Sequence, residues 1–534
     1  MRKKSIFISF IILMILAFTG CGKNNKEQVS PDETNQSIDK EDVNLVKKYE
    51  NKMVLGMDTP ITLNPLYNTK STVEQLLYFI FSPLINIEED GSVSGNIAKS
   101  WIVNDTNTAV TVTLRNDIKW HDGQSLTTDD VIYTMQKIKD ITDSPYKDVM
   151  KNVQEVSKVD SFTFKVTYKT SFSGVMQTLF FPIIPKHIYE VGEGQNIKPV
   201  GSGPYKYKES PSTKSMNLIS NSEYFKGEPN IKDIEVKFIS DEEGILYAFK
   251  QGLIDIAYTS DTEWGKYTNE DASTSYEMIS PLYEFMGINH DKVMFQNSFI
   301  REALIYGINR DELVHLFNLD HAIVTDTPIS PALYIYDRTL ETKKYDKEKV
   351  KLLLTTAGYK KDDNTGIFNK DGIPLSFTLM VNERDSVRTK VARQIQIMYQ
   401  QVGIDMKIEI VDSQTYMDRI KANQFDAFLG GYQIGYATDL SFALHSKSIA
   451  ESGNYTNYKD KQMDELLQKV FIAPNDKVYE AYQKLQQYFI KQTPFISLYF
   501  KKSVLVTKNS IEGDIKSTPT NVFYNVESWR ISGN

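Results

Sequence analysis

The sequence predicts an α/β fold with mixed sheets, built from more than one domain, and three observations lead to this prediction. The chain has 534 residues, which is long for one hydrophobic core. Residues 109–115 (AVTVTLR) and 162–168 (FTFKVTY) roughly alternate between apolar and polar side chains, as strands with one buried face do. Residues 375–433 read as strand, helix, strand, helix and strand, an order that requires a parallel or mixed sheet with right-handed crossovers.

The βαβαβ unit is the clearest of these signals. In its first helix Val391, Ile395, Met398 and Val402 recur at helical spacing on one face, and Gly403 ends the helix. Its last strand is predicted at 425–432 (FDAFLGGY). Ligands of such units bind at the carboxyl ends of the strands, so this strand points at a cleft.

The remaining elements follow from periodicity and end signals. Residues 53–64 (MVLGMDTPITLN) read as a first strand before a turn at Asn64-Pro65, a plausible edge of the cleft. The cluster 127–130 (TTDD) caps one helix, Asn297 or Ser298 opens another, and 461–471 and 477–491 carry apolar stripes. Residues 362–366 faintly resemble a calcium loop, but Ile373 stands where a glutamate is needed, which favours a hairpin turn.

The N-terminus predicts export. Arg2, Lys3 and Lys4 precede an uncharged run from 5 to 19, too short to span a bilayer core of ~20 helical residues, so residues 1–20 are predicted to be a signal peptide. The only cysteine, Cys21, follows directly, and the segment resembles a bacterial lipobox, although Phe18 replaces the usual leucine. We expect lipid on Cys21, a flexible tether over 21–48 and a location on the extracytoplasmic face of the cell membrane.

Composition and motifs exclude several function classes. The formal charge of −8 is spread out and gives no basic stripe for nucleic acid, and 41% hydrophobic content is typical of a soluble body. No nucleophile elbow, Walker loop, dinucleotide fingerprint or zinc-protease motif is present, and the six histidines are scattered. The sequence therefore predicts a protein that is not an enzyme and has no cofactor and no metal site.

One block of the sequence carries a specific resemblance to a known family. Residues 96–135 resemble the signature of the family 5 extracellular solute-binding proteins, the oligopeptide, dipeptide and nickel-binding class, through Trp101, Leu114-Arg115, the WHDG run at 120–123 and the DVIY run at 130–133. Further blocks follow in the family's order, so the resemblance covers about 53–534. It implies that Trp101, His121, Arg301 and Arg310 are packing and turn positions.

The resemblance also implies the architecture, a two-lobed periplasmic-binding-protein-like fold of type II, in the large three-domain class, with a hinge. Domain I would comprise 49–70 with 202–287 and 496–534, domain II would be 71–201, and domain III would be 288–495. Residues 201–205 (GSGPY) would return the chain to domain I, and their glycines suit a tight bend.

In peptide-binding members of the family the ligand lies extended between the lobes and is held through its backbone. The matching segment here is 430–439, in which Tyr432 replaces a tryptophan, while Gly435 and Ala437 occupy the places where an acid would meet the ligand's α-ammonium. Asp439, or failing that Asp261, is left for this role, and the alternative for both is a solvated or capping acid. The expected ligand contacts are Thr59, Ile61, Ser260, Asp261, Gly431, Tyr432, Gln433, Ile434, Gly435, Tyr436 and Asp439.

The function implied is that of an extracytoplasmic substrate-binding lipoprotein of an ABC importer. It would be a monomer that captures oligopeptides and delivers them to a permease driven by separate ATPase subunits. The alternatives are the same role for a nickel chelate, a small metabolite or an oligosaccharide, or a peptide-sensing surface lipoprotein without transport. Tyr416, Tyr432, Tyr436 and Phe442 could form broad pockets for ligand side chains or could belong to the core.

Overall fold

The computed structural model describes residues 51–191, 198–209, 212–435, 438–449 and 453–532. Cys21, the predicted signal and tether, and Tyr436 lie outside these ranges. The α-helices are α1 Ser71–Leu77, α2 Thr128–Asp140, α3 Lys186–Tyr189, α4 Glu242–Lys250, α5 Val293–Gln296, α6 Ser298–Tyr306, α7 Arg310–Asn318, α8 Lys347–Thr356, α9 Ser386–Gln401, α10 Ser413–Lys421, α11 Ser441–Leu444, α12 Lys461–Phe471 and α13 Val478–Gln492.

The strands form both large and small sheets. They are β1 Lys52–Met57, β2 Ile85–Ile87, β3 Val93–Gly95, β4 Ala98–Val103, β5 Ala109–Leu114, β6 Val153–Lys158, β7 Thr163–Tyr168, β8 Tyr205–Lys208, β9 Ser215–Ser220, β10 Asp233–Phe238, β11 Ile256–Thr259, β12 Ser273–Ile288, β13 Ala322–Val324, β14 Lys360–Lys361, β15 Phe368–Lys370, β16 Ile373–Pro374, β17 Ser376–Asn382, β18 Asp405–Val411, β19 Ala427–Gln433, β20 Ile496–Lys508, β21 Ile511–Glu512 and β22 Arg530–Ile531.

One mixed sheet dominates the described part of the chain. Its order is β18-β17-β19-β12-β20-β11-β1-β10-β9-β8, and β13 also pairs with β20. The two long central strands, β12 and β20, pair with each other along most of their length. Strands from the two halves of the sequence therefore attach to one shared pair.

The predicted βαβαβ unit is confirmed. Strand β17 lies between β18 and β19 and is parallel to both. The Asp385 side chain accepts a hydrogen bond from the backbone N–H of Arg388 and so caps α9. Gly403 follows the helix with φ +82°, a backbone conformation that favours glycine. The buried face of α9 carries Val391, Ile395 and Met398, as the periodicity predicts.

The segments at 109–115 and 162–168 are also strands, as predicted. They form the centre of a separate antiparallel sheet with the order β4-β5-β7-β6. Helix α2 follows β5 in the chain, and the Asp130 carboxylate accepts a hydrogen bond of 2.9 Å from the backbone N–H of Thr127. The hairpin predicted near 362–366 is present between β14 and β15, where the Asp362 side chain accepts from the N–H groups of Asn364 and Thr365.

The first strand is shorter than predicted: the sequence suggests a strand within 53–64, whereas β1 ends at Met57. Residues 58–64 leave the sheet, and Pro60 among them has no N–H to donate to a ladder. The turn predicted at Asn64 is present, since its carbonyl oxygen accepts from the N–H of Tyr67 at 3.1 Å. The cleft edge predicted for this segment is therefore a loop that follows β1.

The signature residues have the structural roles that the sequence predicts. Arg301 is buried and donates to the carbonyl oxygens of Phe295 and Gln492. Arg310 is buried as well and forms an ion pair of 2.7 Å with Asp326. These guanidinium groups tie loops to the core through planar sets of donors, which is the usual use of a buried arginine.

The return segment at 201–205 packs against the residues that follow α1, with no space for a side chain at either of its glycines. A Cβ on Gly201 would overlap the carbonyl oxygen of Ile80, and one on Gly203 would lie 2.6 Å from that residue's carbonyl carbon. His121 locks the segment, because its Nδ1 accepts from the N–H of Gly201 and its Nε2 lies 3.1 Å from the carbonyl oxygen of Gly203. Burial lowers the pKa of His121 to about 4, so the ring stays neutral at neutral pH.

The close packing at Gly201 can be tested by adding a methyl group there. We expect Gly201→Ala to lower the free energy of unfolding by about 1 to 3 kcal/mol, because the added methyl group must displace backbone. Gly265→Ala is the matched control, since a Cβ there meets nothing within 4 Å. Chemical denaturation of both variants measures the difference, and equal stabilities would show that the segment yields without cost.

Candidate functional site

The carboxyl ends of several strands converge near the middle of the large sheet. Strands β1 and β11 are parallel neighbours, with Leu55 opposite Ile256, so both end at the same edge. Strand β11 ends at Thr259, opposite Val504 of β20. Strand β19 ends at Gln433, opposite Leu282 of β12. Because β11 runs in the direction of β12 and β19 runs against it, the two ends point toward each other.

An irregularity in β12 marks the place where these ends meet. Val504 lies opposite Glu277 on β12, and the register between β12 and β20 shifts between Ile279 and Tyr283. Pro281 stands within this stretch, where it has no N–H for the ladder, and its carbonyl oxygen accepts from the N–H of Ile434 at 2.9 Å. The ends of β1 and β11 therefore face the end of β19 across a bulge in a central strand.

The loop after β1 borders a cavity of about 690 Å³. Ile61, one of the predicted ligand contacts, lines this cavity and has 74% of its surface exposed. Thr59 is exposed nearby, and its carbonyl oxygen lies 3.5 Å from the Nζ of Lys70, another lining residue. The opposite wall comes from the C-terminal part of α2 and from α3.

The two candidate acids both have capping roles. The Asp261 carboxylate accepts from the N–H of Glu263 at 2.8 Å, before the short 3-10 helix Trp264–Tyr267. The Asp439 carboxylate accepts from the N–H of Ser441 at 2.9 Å, where α11 begins, and Asp439 is exposed. One cap uses only part of a carboxylate's acceptor capacity, so either acid can still accept from a ligand. Ser260 lies beside Asp261, and its hydroxyl is 3.3 Å from Glu242.

Gly431 has a packing role at this site. It lies opposite Glu284 in the β12–β19 ladder, and a Cβ on it would approach Arg388 to 2.7 Å. Glu284 and Arg388 form a bidentate ion pair with distances of 2.8 and 2.9 Å, and the Glu284 side chain is only 3% exposed. The absence of a side chain at 431 thus leaves room for a buried ion pair beside the bulge.

The aromatic residues of this region belong mainly to the core. The ring of Tyr432 stacks on Phe285 with 4.6 Å between centroids, and its hydroxyl donates to the carbonyl oxygen of Gly453 at 2.7 Å. Burial raises the pKa of Tyr432. Tyr416 is buried, and Phe442 packs edge-on against Tyr432. The sequence allows these aromatic residues to form either ligand pockets or core. For Tyr416, Tyr432 and Phe442 the structure favours the core.

Past Tyr432 the chain becomes accessible again. Gln433 and Gly435 are exposed, whereas Ile434 is buried. Among the described residues, no atom lies within 4 Å of where a Cβ on Gly435 would stand. The structure therefore places Gln433 and Gly435 at the end of β19, on the side of the bulge opposite Thr59, Ile61, Ser260 and Asp261.

The region of the four-stranded sheet also contacts the segment after α12. The N–H of Ser173 donates to the carbonyl oxygen of Phe471 at 2.7 Å, and the Asn107 side chain donates to that of Ala473 at 2.9 Å. The rings of Phe172 and Phe471 lie 4.9 Å apart. We name these five residues the interlobe clasp.

Two features are absent from the described ranges. No group of three or more His, Cys, Asp and Glu side chains in them is arranged to hold a metal ion. Within the same ranges, no helix has both the length and the apolar character needed to cross a membrane.

Residues 92–454 match the profile described as bacterial extracellular solute-binding proteins, family 5 middle. This chain belongs to family 5 of the bacterial extracellular solute-binding proteins. As a family 5 protein it is an extracytoplasmic substrate-binding protein of an ABC importer. The family assignment and the α/β fold expected from the resemblance are thereby confirmed.

Among relatives of this family 5 protein, the oligopeptide-binding protein AppA of Bacillus subtilis is 26% identical over 99% of both chains. Its solved structure in complex with a nonapeptide superposes with a TM-score of 0.66, covering 90% of this chain and 99% of that one. The nickel-binding periplasmic protein of Escherichia coli is 25% identical over 65% of this chain and 69% of its own length. NikZ of Campylobacter jejuni, in complex with Ni(L-His), shares the fold at 23% identity, with a TM-score of 0.69 and coverage of 90% and 99%.

Sequence reasoning about this family 5 protein missed part of the site. The cavity wall formed by Lys70, Lys137 and Tyr189 was not anticipated, because these residues look like ordinary surface and helix positions. Pro281 was detectable, since a proline within a strand pattern signals a bulge. Its position opposite the end of β19 depends on long-range pairing and could not be read from the local pattern.

Proposed function

We propose that this family 5 protein captures oligopeptides in the cleft at the β12 bulge and delivers them to the membrane permease of its importer. The similarity to AppA carries the proposal, because it extends over 99% of both chains. AppA's structure contains a nonapeptide, and its fold matches this chain over 90% of its length. The similarity to the nickel-binding protein covers only 65% of this chain, so a nickel chelate is the second candidate.

The converging strand ends suit an extended peptide. A peptide laid across them can form backbone hydrogen bonds in the manner of an added strand, which is indifferent to the peptide's side chains. Gly435, exposed and without a side chain, allows a ligand backbone to approach the end of β19 closely. On the other side, Thr59 and Ile61 supply an exposed edge beside a cavity of ligand size.

We propose that the two lobes close about the bulge in β12. Strands β19, β17 and β18 of the predicted domain III attach on the β12 side, and the other domain I strands of the large sheet attach on the β20 side, so a bend at 279–283 moves one set of strand ends toward the other. This pivot lies within the segment that the sequence assigns to domain I. The hydrogen bonds and the ring contact of the interlobe clasp join the predicted domain II to the predicted domain III, which lies far away in sequence. Contacts of this kind between the lobes would stabilise a closed form.

We further propose that the mature protein is anchored through lipid on Cys21 and works as a monomer. The support for anchoring comes from the sequence, in which a charged start, an uncharged run and the only cysteine follow one another. A lipid-anchored binding protein stays near the permease and ATPase subunits that it serves.

The test of the proposed ligand class is a capture experiment. We expect the protein, incubated with a pool of short synthetic peptides, to retain one peptide per molecule in native mass spectrometry. Nickel with free histidine and a pool of oligosaccharides serve as competing ligands. Retention of the nickel chelate or of a sugar, with no peptide retained, would contradict the oligopeptide proposal.

The same assay tests the amine site. Asp439→Asn should weaken peptides with a free amine by roughly tenfold to a hundredfold, since a charge-assisted hydrogen bond is worth ~1.5 to 3 kcal/mol and each tenfold is ~1.4 kcal/mol. Asparagine still accepts the hydrogen bond from Ser441, so the cap is preserved. N-acetylated peptides should lose much less affinity.

Asp363→Asn is the control for that charge change, because Asp363 is exposed on the β14–β15 hairpin. Equal losses for acetylated and free-amine peptides would remove Asp439 from the amine site. Asp261→Asn, measured in parallel, then becomes the variant expected to discriminate between the two peptide sets.

The anchor has a direct test. Cys21→Ala should prevent lipid attachment and move the protein from the membrane fraction to the soluble fraction of cells that express it, because a lone apolar signal does not anchor the mature chain. Immunoblotting of the two fractions measures this shift. Unchanged membrane retention of the variant would rule out anchoring through Cys21.

A further inference from the structure

The cavity after β1 is large enough to hold part of a ligand. Its volume of about 690 Å³ lies within the range of small-molecule pockets. One wall is the loop from Ile61 to Lys70, and the other includes Lys137 of α2 and Tyr189 of α3. None of the expected contacts from β19 lines this cavity, so it is a compartment of the domain I and II side of the cleft.

The lysine side chains that line the cavity are less exposed to solvent than the aspartates that line it. Lys137 is half-buried, lies over the ring of Tyr133 at 5.5 Å, and has no carboxylate within 4 Å among the described residues. Lys70 is also half-buried and has only a loose ion pair of 3.7 Å with Asp58. Asp140 and Asp143 line the cavity too, but both are exposed, so solvent screens their charges more strongly. The less screened charges of the lining therefore favour an anion over a cation.

Tyr189 provides an independent indication of a missing acceptor. Its side chain is 4% exposed, and its hydroxyl has no hydrogen-bond partner within the part of the chain that the structure describes. A buried hydroxyl without a partner is costly, so such groups in native proteins need an explanation. This hydroxyl is closed to solvent in the free protein, so a ligand oxygen would recover the lost hydrogen bond once the cavity wall opens to admit it.

We infer that this cavity is an anion subsite that binds a carboxylate of the captured ligand through Lys137, with Lys70 and the Tyr189 hydroxyl as further donors. The inference rests on the proposed function and deepens it, because it assigns the ligand a carboxylate at the end of the cleft next to β1. That carboxylate is either the C-terminus of the peptide or an acidic side chain. Both sources present the same planar pair of acceptor oxygens to ammonium and hydroxyl donors.

A simpler role for Lys137 is to stabilise the C-terminal end of α2, where cations interact favourably with the helix dipole. Lys139 has the same charge in the same last turn, but it does not line the cavity. Lys139→Gln is therefore the matched control for Lys137→Gln. Both variants lose one charge at the helix end, and only the second loses a donor to the ligand.

The experiment compares three versions of the same synthetic peptide pool by calorimetry and native mass spectrometry. The first has free C-termini, the second has C-terminal amides, and the third has free C-termini with Asp and Glu replaced by Asn and Gln. Lys137→Gln should weaken the carboxylate-bearing version by tenfold or more, while Lys139→Gln leaves its binding unchanged. The version whose affinity is already low in the wild-type protein identifies the source of the carboxylate.

Tyr189→Phe separates a ligand role from a structural one. Because the hydroxyl has no hydrogen-bond partner among the described residues, its removal should leave the melting temperature unchanged or raise it. The same variant should weaken carboxylate-bearing peptides severalfold and leave the binding of those without a carboxylate unchanged.

The possible failures are distinguishable. If none of the three pools binds the wild-type protein, the proposed function fails and this inference fails with it. If peptides bind but amidation, acid removal and Lys137→Gln all leave affinity unchanged, only the anion subsite is overturned. If Lys139→Gln weakens binding as much as Lys137→Gln, the effect belongs to helix α2 and the subsite is likewise rejected.

Discussion

The pairing of β12 with β20 is the constraint on which the rest of this structure depends. Within the described chain, every other strand of the large sheet attaches to one of these two strands, either directly or through neighbours. Strands β19, β17 and β18 attach on the β12 side, and β11, β1, β10, β9 and β8 attach on the β20 side. The register shift between Ile279 and Tyr283 therefore decides where the two sets of strand ends face each other.

A buried charge stabilises this arrangement directly beside the bulge. Glu284 stands next to Tyr283, where the register resumes, and binds Arg388 of α9. The ammonium group of Lys501, on β20, lies 3.6 Å from the same carboxylate. Removing one partner of such a pair typically costs about 3 to 5 kcal/mol, because the other charge stays buried. The ion pair thus connects β12, β20 and α9 next to the bulge, and Gly431 leaves the space it needs.

Local patterns predicted much of the fold. The βαβαβ unit, the caps at Thr127 and Asn297 and the hairpin at Asp362 depend on residues close together in sequence, and each is present. The order of the large sheet depends on pairing between distant segments and left no local signal. The local pattern also predicted the last strand of this unit, β19, but Tyr432 is packed by Phe285 and Phe495, partners that lie far away in sequence. The cavity at Lys137 was missed because a lysine near a helix end is typical of a solvated surface.

We propose that the lobes close about the β12 bulge when a peptide fills the cleft. Small-angle X-ray scattering of the protein, with and without a saturating peptide, tests this most directly. We expect a smaller radius of gyration in the presence of the peptide, because closure brings the two sets of strand ends closer and keeps the two sides of the interlobe clasp in contact. An unchanged radius, with peptide binding shown on the same sample, would contradict the hinge.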